Sequence, residues 1–151
     1  MSVQFSPSTD IDLDRISAWQ FLDDSKVKGL SPEYWLTGAP NCILACRVSD
    51  SEGVVLYVRC EQESGLVRFH TLFAPPDVVT HKRVALTLLE GFPKFAEGVK
   101  HYGTGLVMET RNESLAKFML DKFGFVRVEG TDDYKLEFAQ TAKESGDAIK
   151  V

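Results

Sequence analysis

The chain has 151 residues, 44% of them hydrophobic, with 17 Lys and Arg against 22 Asp and Glu for a formal net charge of −5. That length suits one domain with a sizeable core and leaves little room for a second. The acidic balance argues against a broad electrostatic hold on nucleic acid or an anionic membrane surface. The longest apolar runs, Cys42–Cys46 and Val54–Val58, are five residues each, against the ~20 that a membrane-spanning helix needs.

The opening stretch, MSVQFSPSTDIDLDR, lacks the basic flank and apolar centre of a secretory signal, so the cytoplasm is the expected compartment. Val3 to Phe5 reads as a short strand. From Ile11 onward, Leu13, Ile16, Trp19, Phe21 and Leu22 follow helical spacing, which predicts a helix ending near Ser25. Ser31-Pro32-Glu33 then reads as a helix start, with serine as cap and proline in the first helical position. The short helix it opens carries Tyr34 and Trp35.

Three strands are expected next, Asn41–Val48, Gly53–Glu61 and Leu66–Phe73, rich in β-branched and aromatic residues and separated by turns at Asp50–Gly53 and Glu63–Gly65. They hold Cys42, Cys46 and Cys60, which cannot all pair within one chain. On a strand, Cys42 and Cys46 would share a face ~13 Å apart, too far to ligate one zinc. His70, His81 and His101 add no local ligand pair, so three buried thiols and no metal are expected.

After Pro75-Pro76, a helix is predicted from the stripe Val84, Ala85, Leu88, Leu89 and Phe92. Pro93 should kink or restart it before Phe95, Ala96 and Val99. Gly105–Glu109 reads as a strand, and Ser114 to Phe123 as a helix capped at its end by Gly124. Phe125–Val128 and Tyr134–Phe138 form a terminal hairpin. The last stretch, residues 140–151, is polar and reads as a tail that trails off after a domain spanning 1–139.

The order β-α-α-β-β-β-α-β-α-β-β, together with the segment ETRNESLAKFMLDKFGFVRVEG, resembles the GNAT superfamily of acyl-CoA-dependent N-acyltransferases to about residue 139. The asparagine before the helix, the Lys-x-Gly-Phe ending and the hairpin that follows carry the local likeness. The resemblance implies a single α/β domain with a mixed, mostly antiparallel sheet flanked by helices. It further implies acetyl-CoA or another acyl-CoA as co-substrate, its pantetheine arm entered between the splayed fourth and fifth strands. The acceptor would be a small-molecule or protein amine.

Family members place a glycine-rich turn, Gln/Arg-x-x-Gly-x-Gly/Ala, where the third helix opens. Backbone N–H groups there bind the pyrophosphate, and glycine lets it approach. Aligned on Leu88-Leu89, that turn falls on Thr80-His81-Lys82-Arg83-Val84-Ala85, where only Ala85 fits. The 25 residues from Leu66 to Glu90 contain no glycine. If Thr80 caps the helix, His81, Lys82 and Arg83 crowd its first turn, where positive charge is disfavoured by ~0.3–1 kcal/mol each unless an anion is near. Arg83 would then grip a phosphate with its side chain. If Asp77 is the cap, the same residues lie one turn further along a solvated face.

The implied cofactor contacts are thus Leu72 and Phe73 on the fourth strand, Thr80, His81, Lys82, Arg83 and Ala85, and Asn112 ahead of the last helix. Leu120 stands where the family's proton-donating tyrosine often stands. His70 in the fourth strand is the first candidate for a base, because histidine titrates near neutral pH. Glu109 at the end of the fifth is the second. Two functions follow: an N-acyltransferase with a modified phosphate turn, or a catalytically degenerate protein that keeps the scaffold as a binding or structural module.

Overall fold

Alternation of apolar and polar residues marks the strands, and periods of three and four set the helices between them. The computed structural model describes residues 2–22 and 30–138; the expected helix end near Ser25 and the tail lie outside them. The strands are β1 Gln4–Pro7, β2 Leu44–Asp50, β3 Gly53–Glu63, β4 Leu66–Phe73, β5 Gly105–Glu109, β6 Val126–Arg127 and β7 Asp133–Glu137. The helices are α1 Leu13–Leu22, α2 His81–Val99 and α3 Glu113–Phe123. The seven strands form one sheet in the order β1-β2-β3-β4-β5-β7-β6. The chain packs as two compact units, one running to Glu61 and resuming over Phe69–Phe95, the other comprising Gln62–Arg68 and the chain from Ala96 onward.

In the first unit β1 pairs antiparallel with β2, and β2 with β3. The predicted helix from Ile11 becomes a 3₁₀ turn, Asp10–Asp12, followed by α1. Its buried residues are Ile16, Trp19 and Gln20, whereas Phe21 and Leu22 are exposed. On a 3.6-residue wheel those two fall well away from the Ile16 arc, so spacing alone over-counted the apolar stripe. The second predicted helix is one 3₁₀ turn, Pro32–Trp35, with Ser31 Oγ accepting from the Glu33 amide as expected of a cap. It seats Trp35, which is fully buried.

β2 begins three residues later than predicted. Asn41 has φ +62° and the Cys42 amide closes a turn on the Ala39 carbonyl, so the strand cannot start before Leu44. Cys42 therefore lies off the strand, half-buried, and the 13 Å strand spacing to Cys46 does not apply. Cys46 and Cys60 are buried, as expected, and burial pushes the Cys46 thiol up to about 12.

α2 continues through Pro93 as one helix, so of the two expected outcomes, a kink or a restart, the restart does not occur. Proline deletes one backbone hydrogen bond, but Phe92 and Phe95 on either side are buried and hold the turn in place. The buried arc is Thr87, Gly91, Phe92, Phe95 and Val99; Leu89, counted in the predicted stripe, points away from it and is exposed. At Gly91 the helix comes so close to β1 and the residue before it that a Cβ would sit 3.1 Å from Val3 Cγ1 and 3.6 Å from the Phe5 ring. One residue earlier, Glu90 Oε2 accepts from the Val3 amide at 2.8 Å.

In the second unit β4 and β5 pair in parallel at Val67↔Leu106 and Arg68↔Val107, β5 pairs antiparallel with β7, and β7 with β6. Gly105 is required by crowding, since a Cβ there would lie 2.6 Å from the Leu136 carbonyl oxygen. α3 has the predicted ends: Asn112 Oδ1 accepts from the Leu115 amide at 3.0 Å, and Gly124 closes the helix at φ +82°. Arg68 bridges Asp133 and Glu63 with bonds of 2.8–3.0 Å.

Candidate active site

Residues two apart on a strand share a face, and on β3 that places Arg59 and Glu61 together. The Arg59 side chain is 4% exposed and each of its three nitrogens donates a hydrogen bond. Nε donates to Glu61 Oε2 at 2.8 Å, Nη1 to the Tyr34 carbonyl at 2.7 Å and Nη2 to the Pro40 carbonyl at 2.6 Å. The guanidinium also lies over the Tyr34 ring, 4.0 Å from its centroid. One buried cation thus ties the 3₁₀ turn and the loop after it to β3.

Glu61 faces outward from this anchor. Its side chain is 26% exposed, the Tyr34 hydroxyl donates to Oε2 at 3.3 Å, and His70 Nε2 lies 3.7 Å from the same oxygen. His70, 27% exposed, meets Tyr34 edge-on with ring centroids 5.9 Å apart. Burial, reinforced by the Glu61 carboxylate, pushes the Tyr34 phenol up to about 12. Tyr34 therefore stays protonated at neutral pH and serves Glu61 as a hydrogen-bond donor. A reachable imidazole beside a braced carboxylate can accept a proton and have the resulting charge stabilised.

At the start of α2 the cap is Thr80 and not Asp77: Thr80 Oγ1 accepts from the Arg83 amide at 3.2 Å, and the Thr80 carbonyl accepts from the Val84 amide at 3.0 Å. His81, Lys82 and Arg83 hence occupy the first turn. His81 and Lys82 are exposed, Ala85 half-buried. Arg83 is engaged within the protein. Its Nε donates to Asp50 Oδ2 at 2.7 Å and its Nη2 to Asp50 Oδ1 at 2.9 Å, while Nη1 is 3.8 Å from Glu52. The anion that the crowded first turn calls for is thus already supplied by the β2–β3 turn.

The remaining site candidates divide between the units. His70, Leu72, Phe73 and Thr80 to Ala85 belong to the first, Glu109 and Asn112 to the second. Leu72 is wholly buried and Phe73 half-buried. Glu109 is exposed at the end of β5, in register with Asp133. Asn112 uses its side-chain oxygen as the α3 cap. Glu61, Arg59 and Asp50 were not singled out in the sequence. The alternation Arg59-x-Glu61 was a legible signal for one pair, but nothing local announced that Asp50 would meet a residue 33 positions away.

No protein-family model matches the chain, and no curated protein matches it in sequence. Solved structures do match in fold. Aminoglycoside acetyltransferase AAC(6')-Ib in complex with coenzyme A and kanamycin aligns at 14% identity over 96% of this chain and 99% of that one, with a TM-score of 0.69. An aminoglycoside N(6')acetyltransferase from Legionella pneumophila aligns at 12% identity over 97% and 98%, with a TM-score of 0.64. The GNAT domain of S. lividans PAT aligns at 15% identity over 90% and 89%, with a TM-score of 0.60.

Proposed function

We propose that this chain, which has the fold of the GNAT acetyltransferases, is an N-acyltransferase that moves an acyl group from acyl-CoA to the amine of a small molecule. The observation that carries the reading is the placement of His70, a part-exposed ring whose Nε2 is buried, beside a Glu61 carboxylate that the buried Arg59 holds in place. An acceptor amine is protonated at neutral pH and must lose a proton before it can attack. His70 takes that proton and Glu61 stabilises the imidazolium. Acyl-CoA supplies an activated thioester carbonyl; the new C–N bond forms as the C–S bond breaks, and the departing thiolate takes up a proton. Leu120 offers no acid for that last step.

The start of α2 fits part of an acyl-CoA. The His81 and Lys82 amides and the exposed Lys82 side chain suit an anionic phosphate, whereas Arg83 is held by Asp50. Glu109 and Asn112 are secondary candidates for base and ligand contact. Free thiols at Cys42, Cys46 and Cys60 suit a reducing compartment such as the cytoplasm. The test is calorimetric titration with acetyl-CoA, followed by thiol release in the presence of amines, beginning with aminoglycosides because two structural neighbours act on them. His70→Gln is expected to lower kcat/KM by roughly 10²–10⁴. No heat and no thiol release at millimolar acetyl-CoA would sink the reading and leave a binding or structural role.

A further inference from the structure

The bidentate ion pair between Arg83 and Asp50 joins the first turn of a 19-residue helix to the β2–β3 turn. The Asp50 side chain is 1% exposed, and Arg83 is 18% exposed. Asp50 Oδ1 also accepts from the Glu52 amide at 2.8 Å and the Gly53 amide at 3.1 Å, so the carboxylate is built into its turn and is not a passing surface contact. The Glu52 carboxylate adds a second negative charge 3.8 Å from Nη1. Arg83, Asp50 and Glu52 together carry a formal charge of +1 − 2 = −1.

We infer that Asp50 is a specificity-determining residue that withholds Arg83 from the diphosphate of a nucleotide-bearing donor. A phosphate approaching Arg83 must either displace the carboxylate that fills the Nε–Nη2 edge or settle at Nη1 beside Glu52, and in both cases it shares space with two like charges. The consequence for catalysis rests on the acyltransferase reading: the donor is selected by its acyl-pantetheine arm, and its diphosphate adds little. Acetyl-pantetheine should therefore serve nearly as well as acetyl-CoA.

The decisive probe is ADP, whose binding does not depend on turnover. Asp50→Asn keeps an oxygen for the Glu52 and Gly53 amides and removes the charge. Wild-type protein, left with Lys82 and the first-turn amides alone, should bind ADP no more tightly than about 1 mM, and Asp50→Asn should bind it at least about tenfold more tightly. Arg83→Ala added to Asp50→Asn should abolish the gain. Glu52→Gln, at an exposed side chain that accepts no backbone bond, cannot disturb the turn and should gain about twofold. Wild-type binding of ADP below about 100 μM, or no gain in either single variant, overturns the inference. Acetyl-CoA turnover more than about tenfold more efficient than acetyl-pantetheine turnover also overturns it. Failure of both thioesters to react counts against the acyltransferase reading, while the ADP titrations still decide the role of Asp50.

Discussion

Two arginine–carboxylate pairs in the first unit are built in opposite senses. In Arg59–Glu61 the cation is the buried partner, at 4% exposure, and the carboxylate looks out at 26%. In Arg83–Asp50 the carboxylate is buried at 1% and the arginine looks out at 18%. The residue facing water determines what a site can offer. The first pair presents an acceptor oxygen and organises Tyr34 and His70 around it. The second presents a guanidinium whose Nε–Nη2 edge is filled by Asp50 and whose Nη1 faces Glu52, so its outward position yields little attraction for an external anion.

The comparison breaks first at Arg59. Removing a buried cation that holds one carboxylate and two carbonyls should cost about 3–5 kcal/mol in Arg59→Ala, measured by urea unfolding. Arg83→Ala should cost less, about 1–3 kcal/mol, because Asp50 keeps its two amide donors. Equal losses would erase the asymmetry between the pairs.

Asp50 and Tyr34, one from each site, should lose their contributions at opposite ends of the pH scale. The Arg83 hydrogen bonds, with the Glu52 and Gly53 amides, hold the Asp50 carboxyl below its ordinary value. Its contribution is therefore complete above about pH 4 and is lost as pH falls through the lower folded value. The stability gap between wild type and Asp50→Asn should be flat from about pH 5 to 7 and should close in acid. Tyr34 works the other way. Its phenol is raised to about 12, so its contribution is complete below about pH 10 and is lost as pH climbs toward that value. Tyr34→Phe should cost about 1 kcal/mol at neutral pH, a difference that vanishes in alkali.

Much of this was legible in the order of residues. The boundaries of β4 and β5, the Asn112 and Gly124 caps and the Ser31 cap depend on local propensities and hydrogen bonds within a few residues, which neighbours in sequence can specify. Where the reading went astray, a distant partner or a local twist intervened. Asn41 in the left-handed region delayed β2, and the flanking phenylalanines kept α2 from restarting at Pro93. The absence of glycine around Thr80 was visible at once; what had taken the place of an external anion was not.

By itself the sequence determined an α/β scaffold and the caps of α3, and it offered His70 as a base candidate, because periodicity and capping act over a handful of residues. Only the tertiary structure decided the use of each charge. Asp50 reaches Arg83 across 33 residues and Glu61 gathers Tyr34 across 27, and chain folding brings such partners together with no trace in local pattern. Electrostatic pairing depends on distance and burial, so the sign a site presents to solvent is settled when the strands and helices pack.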